Sequence, residues 1–168
     1  HKKGLTKVVT AVTDYAPGVD AEKAFAAAFT KAGGTVVESI RMPLSTNDFS
    51  PYAQRIKNSG AQAVYVFLPG GPPNLGFVNA YNQNGLRAAG IEFLGTAETD
   101  EFDLQKFGDA AVGLITSFHY SAAHDSDANR AFEAAMKKQA PDALRNYASV
   151  GAYDGMRVIQ KMVEATDG

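Results

Sequence analysis

The sequence contains no cysteine among its 168 residues. This absence excludes disulfides, thiolate nucleophiles, iron–sulfur clusters and cysteine-based zinc sites. It leaves the cellular compartment open, because a protein without cysteine folds equally well in reducing and oxidising surroundings.

Long apolar runs and an excess of one charge are missing as well. The longest apolar stretches have the length of a single strand, as at 63–68, and fall far short of the roughly 18 residues that a membrane-spanning helix needs. Sixteen lysines and arginines oppose 18 acidic residues, which gives a formal net charge of -2. Binding to nucleic acid or to an anionic membrane surface is therefore disfavoured.

What is present is the composition of an ordinary globular protein, with 45% hydrophobic and 20% charged residues. A chain of this length buries roughly two-thirds of its unfolded surface, which is enough for a core without disulfides or metals. Residues 1–4 are followed by no apolar signal-peptide core, so we expect any export signal to lie outside this sequence.

Five short runs rich in β-branched residues alternate with helical patterns, several of which end at a glycine. Parallel strands need crossover connections, and the right-handed rule places the helices on both faces of the sheet. The sequence therefore predicts an α/β fold with a doubly wound, mainly parallel, five-stranded sheet. The predicted strands are 7–13, 35–40, 63–67, 91–94 and 113–118.

The connecting helices have recognisable starting signals. The first is predicted to begin near Gly18, after a turn at 14–18, and the second has Ser50 as its N-cap with Pro51 in the first position. A third helix follows Pro73, and a short one is predicted at 103–107.

After the fifth strand the alternation stops. Two further helices are predicted at 127–139 and 146–166, and neither has a strand of its own to cover. The small, polar segment between them and the sheet marks a boundary. We predict a Rossmann-like α/β lobe over residues 1–119 and a helical segment over residues 120–168.

The loops at the carboxyl ends of the strands are where an open parallel sheet binds ligands. These loops lack a G-x-G-x-x-G motif, a phosphate-binding loop and the acceptor aspartate of a response regulator. The glycine pair near a strand end, Gly70 and Gly71, precedes two prolines, which remove amide donors where a phosphate would bind. A nucleotide site is therefore disfavoured.

Three other groups of residues carry alternative interpretations. His119 and His124 have a spacing that favours solvated loop residues over a metal site, and the acidic residues at 98–101 suit either acid–base chemistry or a solvent-exposed helix start. Tyr15, directly after the first strand, is either a ligand contact or a turn tyrosine at the sheet edge.

Four blocks of sequence carry a family resemblance across nearly the whole chain. They read KVVTAVTDYAPGVDAEKAF, VVESIRMPLSTNDFSPYAQRIKNSGAQAVYV, NQNGL…FLGTAETDEFDLQKFGDAAVGLITSFHY and NYASVGAYDGMRVI. In this order they resemble the branched-chain amino-acid (Leu/Ile/Val) type of ABC-transporter substrate-binding protein, in the type I periplasmic binding fold. The blocks match only the second half of such proteins, so the chain resembles a fragment covering mainly the second lobe.

The resemblance also implies site residues. Tyr15 matches the ligand-contacting tyrosine of the family's DY-x-x-G turn. In amino-acid-binding relatives the loop after the third strand supplies another aromatic residue, where this chain has Gly70 and Gly71. An acidic residue after the fourth strand pairs with the ligand ammonium in those relatives; Ala97 and Glu98 occupy the matching positions, and Glu98 is the better match.

The function implied by the resemblance is solute binding without catalysis or cofactor. It places the protein in the periplasm, where two lobes close over a small solute, amino-acid-like or another organic acid or amide, for delivery to an ABC permease. The alternative is a ligand-sensing domain or a small α/β enzyme acting on a sugar or nucleotide. The apolar stripes of the last two helices further predict burial on their own lobe or against a second copy, forming a homodimer.

Overall fold

The β-branched runs form a parallel sheet in the computed structural model, which describes residues 4–167. The start of the chain that was considered for an export signal lies, up to residue 3, outside the described residues. The strands are β1 (Lys7–Thr13), β2 (Thr35–Met42), β3 (Ala63–Phe67), β4 (Glu92–Gly95) and β5 (Ile115–Thr116). The helices are α1 (Ala16–Lys31), α2 (Ser50–Asn58), α3 (Pro72–Gln83), α4 (Glu101–Phe107), α5 (Asp127–Gln139) and α6 (Tyr147–Thr166).

The strands are ordered β2-β1-β3-β4-β5, and all four neighbouring pairs are parallel. The chain moves outward from β1 to β2 and then crosses back to β3, so the order reverses between β1 and β3. This reversal makes the sheet doubly wound, and the predicted α/β fold class is confirmed.

Side chains alternate between the two faces of the sheet. Val9 and Ala11 of β1 enter a buried cluster with residues of α2 and α3. Thr10, between them, points the other way and donates a hydrogen bond to the buried carboxylate of Glu22 on α1. Helices α2 and α3 therefore cover one face, and α1 lies against the other.

Several element boundaries differ from the sequence prediction; β2 runs on to Met42, for example, and α4 begins at Glu101. The strand predicted at 113–118 is only the two residues of β5, because Gly113 has a φ of +83° and β5 pairs with β4 at two positions only. Helix α1 begins at Ala16, before the predicted start, since Pro17 needs no amide partner in a first turn.

The chain divides into two compact units. The first runs to Thr99 and includes Asp103–Ser117; it contains the whole sheet. The second consists of Asp100–Phe102 and the chain from Phe118 onward. The assignment of residues 1–119 and 120–168 to different lobes stays a prediction.

In the second unit, α6 begins with a capping box. The side chain of Asn146 accepts hydrogen bonds from the amides of Ala148 and Ser149, and the Ser149 hydroxyl oxygen accepts from the Asn146 amide. Several apolar side chains of α6 are exposed, with Met156 at 63% and Ile159 at 52%. Pairing with a second copy through this surface stays a prediction. Within residues 4–167, no helix is long and apolar enough to cross a membrane.

Candidate functional site

The five residues that the sequence singled out follow three strands at one edge of the sheet. Tyr15 comes after β1, Gly70 and Gly71 after β3, and Ala97 and Glu98 after β4. Because every strand pair is parallel, these residues share the carboxyl edge, and β3 lies between β1 and β4. The reversal of strand order between β1 and β3 leaves a crevice at this edge, the usual ligand position in an open α/β sheet.

Tyr15 is the N-cap residue of α1, and its backbone is extended. Its half-buried ring lies 6.3 Å, centroid to centroid, from the ring of Phe67 at the end of β3. Burial raises the pKa of the Tyr15 hydroxyl, so the group stays protonated at neutral pH. Within residues 4–167 the hydroxyl makes no hydrogen bond, which leaves a donor and acceptor available beside an aromatic surface.

Gly18 explains why the turn after β1 is so tight. A Cβ atom at this position would collide with the carbonyl oxygen of Thr13 and lie 3.3 Å from the Tyr15 ring. Only glycine therefore allows the first turn of α1 to approach the end of β1 this closely. The glycine of the DY-x-x-G turn thus has a packing role that sets the place of the tyrosine.

Gly70 and Gly71 form the loop between β3 and α3. Gly70 is exposed, whereas Gly71 is buried and serves as the N-cap of α3 with a φ of +87° and a ψ of -142°. Residues with a side chain rarely tolerate that conformation. Both main-chain groups of Gly71 are engaged inside the protein, the amide by Asp103 and the carbonyl oxygen by the amide of Leu75.

The side chain of Glu98 is not at the surface: the residue is only 1% exposed. Its carboxylate accepts hydrogen bonds from the amide of Thr96 and, at 3.3 Å, from the Thr96 hydroxyl. Ala97 is half-buried and contributes no polar side chain. The position that the resemblance assigned to an ammonium-binding carboxylate is thus occupied by a buried group with partners inside the protein.

Burial also controls the ionisation of Glu98. Desolvation raises its pKa from 4.5 to about 7, and hydrogen bonds from the amides of Glu98, Thr96 and Leu68 and from the Thr96 hydroxyl oppose the rise. The charge of this group also raises the pKa of Tyr65 on β3, where burial is the larger cause.

Two functional candidates were missed in the sequence, Asn74 and Asp103. Both are buried below the carboxyl edge, where Asp103 accepts a hydrogen bond from the amide of Gly71 at 2.6 Å. Asn74 donates from Nδ2 to the main-chain oxygen of Glu98 at 3.0 Å. The double proline before Asn74 was a usable signal, since it places Asn74 in the first turn of a helix.

An apolar depression of about 460 Å³ lies on the α1 side of the sheet, over β4 and β5. Its wall includes the ring of Tyr65, which stacks on Phe25 of α1 at 4.0 Å between centroids. The depression was not predicted, because it depends on the short length of β5 and on which strands α1 covers.

His119 and His124 lie in the second unit, in the segment between β5 and α5. The ring of His119 packs against Phe118, with centroids 4.2 Å apart. Among residues 4–167, no group of three or more histidine, aspartate or glutamate residues is placed to hold a metal ion.

Comparison with known proteins extends these observations. The model of the family described as "Periplasmic binding protein" matches residues 1–168. A curated relative, "Leu/Ile/Val-binding protein homolog 6" of Brucella melitensis, is 58% identical over 168 residues, which are 99% of this chain and 43% of that protein. The chain therefore spans less than half the length of this relative.

Two solved structures from Rhodopseudomonas palustris are similar over nearly the whole chain. A solute-binding protein of an ABC transporter in complex with 4-hydroxybenzoate has 50% identity and a TM-score of 0.91, covering 99% of this chain and 46% of that one. A second, from strain BisB5 in complex with 3,4-dihydroxybenzoic acid, has 38% identity and a TM-score of 0.83, covering 98% and 45%. Given a family match along its full length and a fold shared with these structures, the chain belongs to the periplasmic binding protein family.

Proposed function

We propose that this chain is the second lobe of a two-lobe protein that captures a small organic solute outside the cytoplasm and delivers it to the permease of an ABC importer. The observation that carries the proposal is Tyr15, whose hydroxyl is without a partner in the described residues and lies at the reversal of strand order. Family membership supports binding without chemical conversion.

An aromatic carboxylic acid of the hydroxybenzoate type is the solute class that we propose. An amino acid brings an ammonium group, and the carboxylate expected to meet it, Glu98, is buried and already accepts hydrogen bonds from Thr96. The rings of Tyr15 and Phe67 suit an aromatic solute. Two relatives at 50% and 38% identity were solved with 4-hydroxybenzoate and 3,4-dihydroxybenzoic acid.

A branched-chain amino acid is the second candidate. It is favoured by the name of the curated relative at 58% identity and by the matching tyrosine turn. The two candidates differ in the charge that the solute presents to the second lobe, so a direct comparison of 4-hydroxybenzoate and leucine distinguishes them.

Removing the Tyr15 hydroxyl is expected to weaken binding of 4-hydroxybenzoate. In a two-lobe protein containing this chain, Tyr15→Phe should lower the affinity about 5-fold, the effect of one lost hydrogen bond, and Tyr15→Ala should cost about 1–3 kcal/mol. Isothermal titration calorimetry measures both, with Tyr52→Phe on α2 as the matched control. Unchanged affinity in both Tyr15 variants would give this tyrosine a purely structural role. Tighter binding of leucine would favour the second candidate.

The 168-residue chain alone is expected to bind 4-hydroxybenzoate poorly. One lobe supplies only part of the surface that encloses a small ligand, and a small solute gains most of its affinity when it is buried. The same titration on the isolated chain checks this expectation. Micromolar binding without the other lobe would favour a self-sufficient pocket, as in a sensor domain, and turnover of the solute would favour an enzyme.

A further inference from the structure

Two polar side chains lie directly below the loops assigned to solute binding. Asn74 is 1% exposed and Asp103 is 3% exposed, so neither is placed at the surface where a solute would arrive. Both nevertheless bond to the main chain of those loops. Their contacts with the main chain therefore bear on the conformation of these loops.

Asp103 fixes the loop after β3. Its Oδ2 accepts the hydrogen bond from the Gly71 amide at 2.6 Å, and its Oδ1 pairs with the ammonium of Lys106 at 2.9 Å. Burial disfavours the charge of Asp103, but hydrogen bonds from Gly71, Lys106 and Asn74 outweigh it and lower the pKa of the carboxyl. An ionised group thus secures Gly71 in a backbone conformation that is strained for other residues.

Asn74 connects this loop to the one after β4. Its Nδ2 donates to the main-chain oxygen of Glu98 at 3.0 Å and lies 3.4 Å from Oδ2 of Asp103. Both loops of the carboxyl edge are therefore tied to the first turn of α3 through one amide group.

The arrangement is not the one that stability alone would favour. Oδ1 of Asn74 is buried and accepts no hydrogen bond from the described residues. A buried acceptor without a donor lowers the stability of the folded state. The contacts that this amide does make run through Nδ2, which reaches Glu98 directly and Gly71 through Asp103.

We propose that Asn74 and Asp103 are positioning residues, which set the affinity for solute by fixing the main chain at Gly71 and Glu98 without touching the solute. The proposal rests on the solute-binding function proposed above. It makes the geometry of the main chain at this edge a determinant of binding.

The test compares two asparagines of the same helix. Asn82 on α3 also donates from Nδ2 to two main-chain oxygens, those of Val78 at 3.0 Å and Ala110 at 3.2 Å, but it contacts neither loop. In the two-lobe protein, Asn74→Ala should lower the affinity for 4-hydroxybenzoate about 10-fold, whereas Asn82→Ala should leave it within about 2-fold. Both variants should lose stability, so stability alone does not produce the difference.

A second readout needs no solute. The amide resonances of Gly70 and Gly71 should shift in Asn74→Ala and in Asp103→Asn, and should stay in place in Asn82→Ala, because only the first two substitutions alter the bonds that hold this loop. Should Asn74→Ala fail to fold, Asp103→Asn provides the same comparison.

The outcomes separate the two proposals. Equal losses of affinity in Asn74→Ala and Asn82→Ala, or unchanged Gly70 and Gly71 resonances in the variants of Asn74 and Asp103, would overturn the positioning role. Failure of the unmodified two-lobe protein to bind 4-hydroxybenzoate would instead overturn the proposed solute, and the resonances would still decide the positioning role.

Discussion

The free energy of unfolding is expected to fall by about 2–3 kcal/mol as the pH rises from about 5 to about 8, because one buried carboxyl, Glu98, must ionise. Its pKa is about 7 in the folded chain and 4.5 in the unfolded chain, so between these values the folded state holds a proton that the unfolded state has released. Stability is greatest below the unfolded value and is lost as the pH passes through the folded one. The pKa of Asp103 is lowered in the folded chain, so this group contributes stability that is lost only as the pH falls into the acid range.

Urea unfolding of the chain at several pH values measures this effect. Glu98→Gln should flatten the profile, since an amide does not titrate, and Glu164→Gln, on the exposed surface of α6, should leave the profile unchanged. A profile that is equally steep in Glu98→Gln would place the titrating group elsewhere.

Gly18→Ala is expected to destabilise the chain by about 3 kcal/mol, near the upper end for adding a methyl group to a packed site. The new Cβ would meet the Thr13 carbonyl oxygen, a backbone atom of β1 that cannot rotate away as a side chain can. The first turn of α1 would have to move outward and carry the Tyr15 ring with it. Weaker solute binding should therefore accompany the loss of stability.

The matched control is Gly155→Ala in α6, where a Cβ would meet no atom within 4 Å. That substitution should stabilise the chain by up to about 1 kcal/mol through helix propensity. Chemical denaturation of both variants gives the comparison, and a loss of less than about 1 kcal/mol in Gly18→Ala would show that the turn relaxes freely.

Elements with strong local signals were predicted to the residue. The β-branched run of β1, the strand β3 and the helix α5 have the bounds that the sequence indicated. The predicted length of β5 was wrong. An edge strand ends where its single neighbour stops pairing, and the local sequence of β5 carries no information on its register with β4.

The candidate site was predicted in its position along the chain and not in its three-dimensional contacts. A parallel sheet places the residues after its strands at one edge, so Tyr15 and Glu98 were expected there. Two of its features could not be read from periodicity. Glu98 is buried, and Asp103 accepts a hydrogen bond from Gly71, which lies 32 residues earlier in the chain.

The capping box of α6 bears on the order of folding. The capping bonds join Asn146 to Ala148 and Ser149, within one turn, so they form without any distant contact and offset part of the cost of helix nucleation. Helices form in microseconds or less, whereas every pairing of the parallel sheet must first close a long loop. Helix α6 is therefore expected to form before the sheet is complete, so that any surface packing on its apolar side would bind an already ordered helix, which loses little conformational entropy.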